Sequence, residues 1–240
     1  EFAPLVSGTL AAKQEVATVF LVVFSVAIAL GSLTVNRLLQ GEVSARYVPI
    51  SGLVMAIGLL ALWWATTGFA VHTAGASVGQ FMATPGAWAI LGSLAIIAYS
   101  GGIFIVPLYA ILQTNSPEES RSQIIAANNI VNAGVTVLVV LIMTGLLAAG
   151  WKVPGLIGAL GFAALGVALA SIWLLPETLF KDVIRITLRV LYRVEVKGME
   201  HMPKPGESAV VVVNHLSFLD GLLLGAFLPG KPTFAINTHI

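Results

Sequence analysis

The stretch AWAILGSLAIIAYSGGIFIVPLYAIL, residues 87–112, carries no Asp, Glu, Lys, Arg or His. As an α-helix rising 1.5 Å per residue it would be about 39 Å long, more than the roughly 30 Å hydrocarbon core of a bilayer. Only a closed backbone hydrogen-bond pattern survives in lipid, and an apolar run of this length reads as a helix rather than a barrel strand. Four more runs of this kind flank it: Val16–Val35, Tyr47–Thr67, Ile124–Leu147 and Val153–Leu175. Composition agrees with them. Hydrophobic residues make up 58%, charged residues 10%, and mean hydropathy is +0.95. A soluble domain carries about a quarter charged residues, because its surface must face water. Residues 1–176 are therefore expected to form a polytopic helical membrane domain of five spans.

The loops orient it. Arg37 and Arg46 flank the first connection, Arg121 sits in the third, and Lys181, Arg185, Arg189 and Arg193 follow the last span. The opposite side offers Lys13 and Lys152, and the connection from Gly68 to Gly86 has neither Lys nor Arg. The positive-inside rule then predicts an outside N-terminus and a cytoplasmic C-terminus. An odd number of spans demands the same split. A net charge of +1 argues against nucleic acid as a partner, since that needs clustered excess cations. With no cysteine, disulfides and thiolate metal sites are excluded, and no metal site is predicted. No signal peptide is visible. The chain opens on Glu1 and stops at Ile240 without a closing element, which reads as a piece of a longer protein.

After Pro176 the composition changes. Lys181, Arg185, Arg189 and Arg193 recur every four residues, with Phe180, Val183, Ile184, Leu188 and Leu191 mostly opposite. Residues 177–193 are thus a basic amphipathic linker helix. It could lie on an anionic leaflet or pack its apolar face on the next domain, and both readings stand. From residue 194 to 240 the pattern is α/β. Val194 and Val196 alternate with Glu195 and Lys197, which predicts a short strand ended by Gly198. A Pro/Gly turn at 202–206 leads to a buried-type strand, Ser208–Val213, then a polar loop from Asn214 to Asp220 and a helix over Gly221–Leu228.

The chemistry concentrates in Asn214-His215-Leu216-Ser217-Phe218-Leu219-Asp220. His215 and Asp220 leave the end of an apolar strand, where α/β folds place reactive groups. A carboxylate on one ring nitrogen fixes the tautomer, and the other nitrogen can take a proton from a hydroxyl. That base activates an alcohol to attack an acyl thioester with no serine nucleophile. The spacing alone is weak, since any His has a fair chance of an Asp five residues on, and His215 could simply cap the next helix. The four valines before Asn214, Ser217 and Gly221 strengthen it.

From Val194 onward the chain resembles the glycerolipid acyltransferases of the lysophosphatidate acyltransferase type, whose first motif is Asn-His-x-Ser-x-x-Asp. The lead-in Val196 to Pro203 matches as well. By that resemblance His215 is the general base and Asp220 its orienting partner, while the later motif that holds the acceptor phosphate is missing. The spans look like helices eight to twelve of a major facilitator transporter. Ser32-Leu33-Thr34-Val35-Asn36-Arg37 stands, in degenerate form, where that family has a Gly-x-Leu-x-Asp-Arg motif. Both halves together resemble the bacterial fusion of a lysophospholipid flippase with acyl-acyl-carrier-protein–phospholipid O-acyltransferase (2-acylglycerophosphoethanolamine acyltransferase).

The resemblance implies an inner-membrane protein that moves a lysophosphatidylethanolamine-like lipid and reacylates it. The acyl donor would be acyl-acyl-carrier protein or acyl-CoA, with acyl-carrier protein as a possible partner and no bound cofactor. An acyltransferase merely anchored by its spans, and a transporter with an inactive remnant, are the competing readings.

Within the membrane, Asn128 and Asn132 share a helix face with Asn129 beside them. They either line a headgroup path or bond between helices. Gly101, Gly102 and Pro107 could likewise gate a path or serve close packing.

Overall fold

A computed structural model describes residues 2–39, 43–69, 75–174, 181, 184–185, 187–189, 191–198, 202, 210–214 and 217–228. Two compact units make up the chain, Glu1–Leu174 and Leu175–Ile240.

The first unit contains the five expected spans as helices α1 (Gln14–Leu39), α2 (Val48–Thr67), α4 (Ala87–Thr114), α5 (Arg121–Ala148) and α6 (Val153–Leu174). A short helix, α3 (Val78–Ala83), precedes α4. The five long helices are each long and apolar enough to cross a membrane. Their hydroxyls are returned to the helix, as hydrocarbon requires: Ser32 donates to the Ile28 carbonyl, Thr66 to Leu62, Ser93 to Ala89 and Ser100 to Ile96.

Packing runs α1 on α4, α4 on α2, and α2 on α6. Water drives no association between helices in lipid, so close backbone approach at small residues takes over. Each of these crossings has a glycine. A Cβ on Gly31 would run into the Tyr99 carbonyl, and one on Gly102 would lie 2.5 Å from the Ile28 carbonyl oxygen, so α1 and α4 meet backbone to backbone. On α2, a Cβ at Gly58 would lie 2.9 Å from Ile97 of α4; on α6, one at Gly158 would lie 2.9 Å from the Trp63 ring of α2.

The N-terminal end of this bundle is closed by a cap that the periodicity does not predict. Pro4–Thr9 forms a π-helical turn, and Ala12 pairs with Ala76 in a parallel bridge. Lys13 N–H donates to the Ala76 carbonyl at 3.0 Å, and Gly75 N–H to Ala11 at 2.7 Å. Phe20 of α1 and Phe81 of α3 are fully buried, edge to face at 5.7 Å, with Phe2 on one flank and Phe69 on the other. Pairs of this kind contribute about 0.5–1.5 kcal/mol beyond their buried area. Trp63, Trp64, Trp88 and Trp151 all fall toward this end, the distribution of an interfacial aromatic belt.

Helix α5 differs from the rest. None of its residues is buried, and its contacts with α4 and α6 are sparse.

In the second unit, residues 181, 184–185, 187–189 and 191–192 are helical, and Arg193 turns left-handed at φ 49°. A non-glycine residue in that region ends a helix. Two predicted strands are not strands here. Residues 193–198 and 210–214 have no ladder partner among the described residues. Ser208 and Ala209 lie outside them. Both stretches nonetheless keep a period of two. Glu195 and Lys197 pair at 3.3 Å on one side, while Val210 and Val212 are 91% exposed against 50% and 42% for Val211 and Val213. Alternation follows from an extended backbone, but burial requires neighbouring strands, and the expected burial of the valines is not met. The predicted helix is present as α7 (Phe218–Phe227), starting three residues earlier than the sequence pattern placed it.

Candidate active site

The start of α7 decides where Asp220 sits. Ser217 is the N-cap, with extended backbone at φ −148° and ψ 150°. Its hydroxyl accepts a hydrogen bond from Leu219 N–H at 3.2 Å. Its own N–H donates to Oδ2 of Asp220 at 2.8 Å, and Asp220 N–H returns to the Ser217 carbonyl at 3.0 Å. This reciprocal capping box satisfies amides that a first helical turn leaves without partners. It also places the Asp220 carboxylate in the first turn, where the helix dipole favours negative charge. A carboxylate held this way keeps its direction relative to the helix start. His215 and Leu216 lie outside the described residues; Asn214 and Ser217 on either side are exposed.

The other end of α7 is closed by the linker. The Arg185 guanidinium donates to the Ala226 carbonyl from Nε at 3.1 Å and from Nη2 at 2.7 Å. Arg185 and Arg189 also stand over the Phe227 ring, at 5.8 and 5.6 Å. Leu188 and Ala226 are buried. Cations at a helix C-terminus satisfy its last carbonyls and complement its dipole. Two residues of the basic stripe, Arg185 and Arg189, thus meet the C-terminal end of α7, while Leu191 of the apolar side is exposed.

In the membrane unit, Asn128 and Asn132 both donate from Nδ2 to the Tyr109 hydroxyl of α4, at 3.4 and 3.3 Å. The structure brings these two together at Tyr109, with Asn128 half-buried and Asn132, like Asn129, exposed. Tyr109 was not among the residues singled out from sequence; an isolated Tyr in an apolar run gives no signal of its partner. A hollow of about 450 Å³ lies between the ends of α2 and α4, lined by Trp64, Thr67, Phe69, Pro85, Gly86 and Ala89 among others. Its described lining includes no imidazole, carboxylate or amine.

The apolar helices define the class, a multi-pass membrane protein. Residues 193–240 match the protein-family model described as Acyltransferase, a span that contains His215, Ser217 and Asp220. The chain therefore joins five helices long and apolar enough to cross a membrane to a segment similar to acyltransferases. No solved structure matches it.

Proposed function

We propose that this protein transfers an acyl group from a thioester to the free hydroxyl of a lysophospholipid, and that its membrane helices deliver that lipid to the reaction. The observation that carries the reading is the Acyltransferase match over residues 193–240, with the Asn214-His215-x-Ser217-x-x-Asp220 pattern inside it and Asp220 anchored at the start of α7. His215 takes the proton of the acceptor hydroxyl as its oxygen attacks the thioester carbonyl. Asp220 supports the imidazolium that forms. The tetrahedral adduct collapses, the C–S bond breaks, and the proton passes from His215 to the departing thiolate. An ester and a free thiol result, and no redox partner is required. Acyl-acyl-carrier protein or acyl-CoA supplies the thioester.

The Lys/Arg distribution supports an outside N-terminus and a catalytic segment on the cytoplasmic face of a bacterial inner membrane. Five spans exceed what an anchor needs, and this supports a transport role resembling the C-terminal half of a major facilitator. The bonds from Asn128 and Asn132 to Tyr109 support bonding between helices for those amides, since both are directed at a neighbouring helix. The test uses the full-length protein in vesicles, with lysophosphatidylethanolamine and an acyl-CoA or acyl-carrier thioester. His215→Ala should lower acyl transfer by about 10²–10⁴-fold or more. Lysolipid uptake should be retained in His215→Ala, and the Asn128→Leu, Asn132→Leu double variant should lower expression while keeping uptake per molecule. Near-parental acyl transfer in His215→Ala would end the assignment.

A further inference from the structure

The helical linker is covered by α7 along one side and open at its last turn. Leu188 is buried, and Arg185 and Arg189 reach the C-terminal end of α7. Leu191 and Tyr192, which close the helix, are 68% and 59% exposed. Single exposed apolar side chains are ordinary on a protein surface. This pair differs in its neighbours, since a cation stands on each side of it, Arg189 before and Arg193 after, both exposed. It also lies just ahead of the acyltransferase match, which begins at residue 193.

Charge and connectivity say what covers it. From Lys181 to Arg193 the sequence sets four cations against one acid, Asp182, a net charge of +3. Beyond Arg193, Glu195 pairs with Lys197 at 3.3 Å and adds no net charge. The surface that complements this segment is therefore negative. Leu191 follows the last residue of α6, Leu174, by 17 positions. Even a fully extended tether keeps it within about 60 Å of the end of that apolar helix. A basic cluster this soon after a membrane span meets an anionic leaflet before any other surface.

We propose that the last turn of the linker helix is a membrane-docking surface: Leu191 and Tyr192 enter the headgroup layer of an anionic leaflet, and Arg189 and Arg193 engage its phosphates. Tyrosine suits that depth, with an apolar ring and a hydroxyl for the wet side. A guanidinium offers a phosphate two parallel N–H donors. Packing on α7 and docking on lipid use different parts of one helix, so neither displaces the other.

The experiment places a nitroxide on a single cysteine of the full-length protein, at Leu191→Cys, Tyr192→Cys or Lys197→Cys. Accessibility to oxygen, which concentrates in lipid, is compared with accessibility to a water-soluble nickel chelate. In phosphatidylglycerol vesicles, labels at 191 and 192 should favour oxygen, and in phosphatidylcholine vesicles they should favour nickel. The label at 197 should favour nickel in both. Arg189→Gln with Arg193→Asn should lower the inserted fraction relative to the free by about thirtyfold, at about 1 kcal/mol per cation. Asn tolerates the left-handed backbone of Arg193, so Arg193→Asn alone, with about fivefold expected, decides if the double variant fails to fold. Nickel-favouring labels at 191 and 192 in phosphatidylglycerol overturn the proposal. So does poor access of both reagents, which would mean that protein covers the turn, and so does equal insertion in the two lipids. No acyl transfer is measured, and a His215→Ala protein should insert as the parent does, so the acyltransferase reading and this one can fail separately.

Discussion

Gly101 and Gly102 are neighbours on α4, identical in chemistry and opposite in surroundings. A Cβ on Gly102 would lie 2.5 Å from the Ile28 carbonyl oxygen, 2.8 Å from the Ser32 amide nitrogen and 3.1 Å from Ser32 Oγ. A Cβ on Gly101 would meet nothing within 4 Å. The two nearest atoms at Gly102 are backbone of α1, so no rotamer change relieves the contact; α1 and α4 must separate. Overpacking a tight interior by a single carbon typically costs about 1–3 kcal/mol, and a backbone-to-backbone crossing belongs at the upper end. Gly101→Ala carries no such penalty and gains helix propensity, by up to about 1 kcal/mol. Gly102→Ala makes the same propensity gain, which cancels, so the two alanine variants should differ by the packing penalty alone, about 3 kcal/mol. At 1.4 kcal/mol per factor of ten in an equilibrium constant, that is roughly a hundredfold in the folded-to-unfolded ratio. Unfolding of the reconstituted protein in a denaturing detergent titration, followed by tryptophan fluorescence, reads this difference directly. Equal midpoints for Gly101→Ala and Gly102→Ala would refute the claim that glycine sets the α1–α4 distance. They would also return Gly102 to the list of possible gating residues.

The chain contains no cysteine, so single substitutions report topology cleanly. Gly79→Cys, where a side chain meets open space, should react with an impermeant maleimide from outside; Gly206→Cys should react only after permeabilisation. Arg185→Met should destabilise the second unit by about 1.5–3 kcal/mol through loss of a charged, two-point hydrogen bond to Ala226, and Arg185→Lys should recover only part of the melting temperature. Tyr109→Phe removes the acceptor shared by Asn128 and Asn132 and should cost about 1 kcal/mol in detergent unfolding. Parental stability in Tyr109→Phe, with slowed lysolipid uptake, would favour a path role for those amides over packing.

The spans were legible because bilayer thickness and backbone satisfaction leave a long apolar segment one solution. Val16–Val35 and Ile124–Leu147 fall inside α1 and α5, and Ala87 opens α4 as expected. What periodicity could not carry was anything decided by a distant partner. The pairing of Gly31 with Tyr99, and the difference between Gly101 and Gly102, depend on which helix lies opposite. The Phe20–Phe81 cap joins segments sixty residues apart through a six-residue helix, too short to register as a periodic element. Its only local trace was Ser77-x-x-Gln80, a capping-box spacing that passed unread. The basic stripe could be seen but not its destination, because Ala226 lies 41 residues from Arg185.

The candidate site divides along the same line. Asp220 was legible as a residue and its place in the first turn of α7 follows from a local Ser-x-x-Asp, four consecutive residues that need no tertiary partner. The valines before it kept the period of a strand without the neighbours that would bury them. Local chemistry thus survives wherever a few consecutive residues suffice to close their own hydrogen bonds.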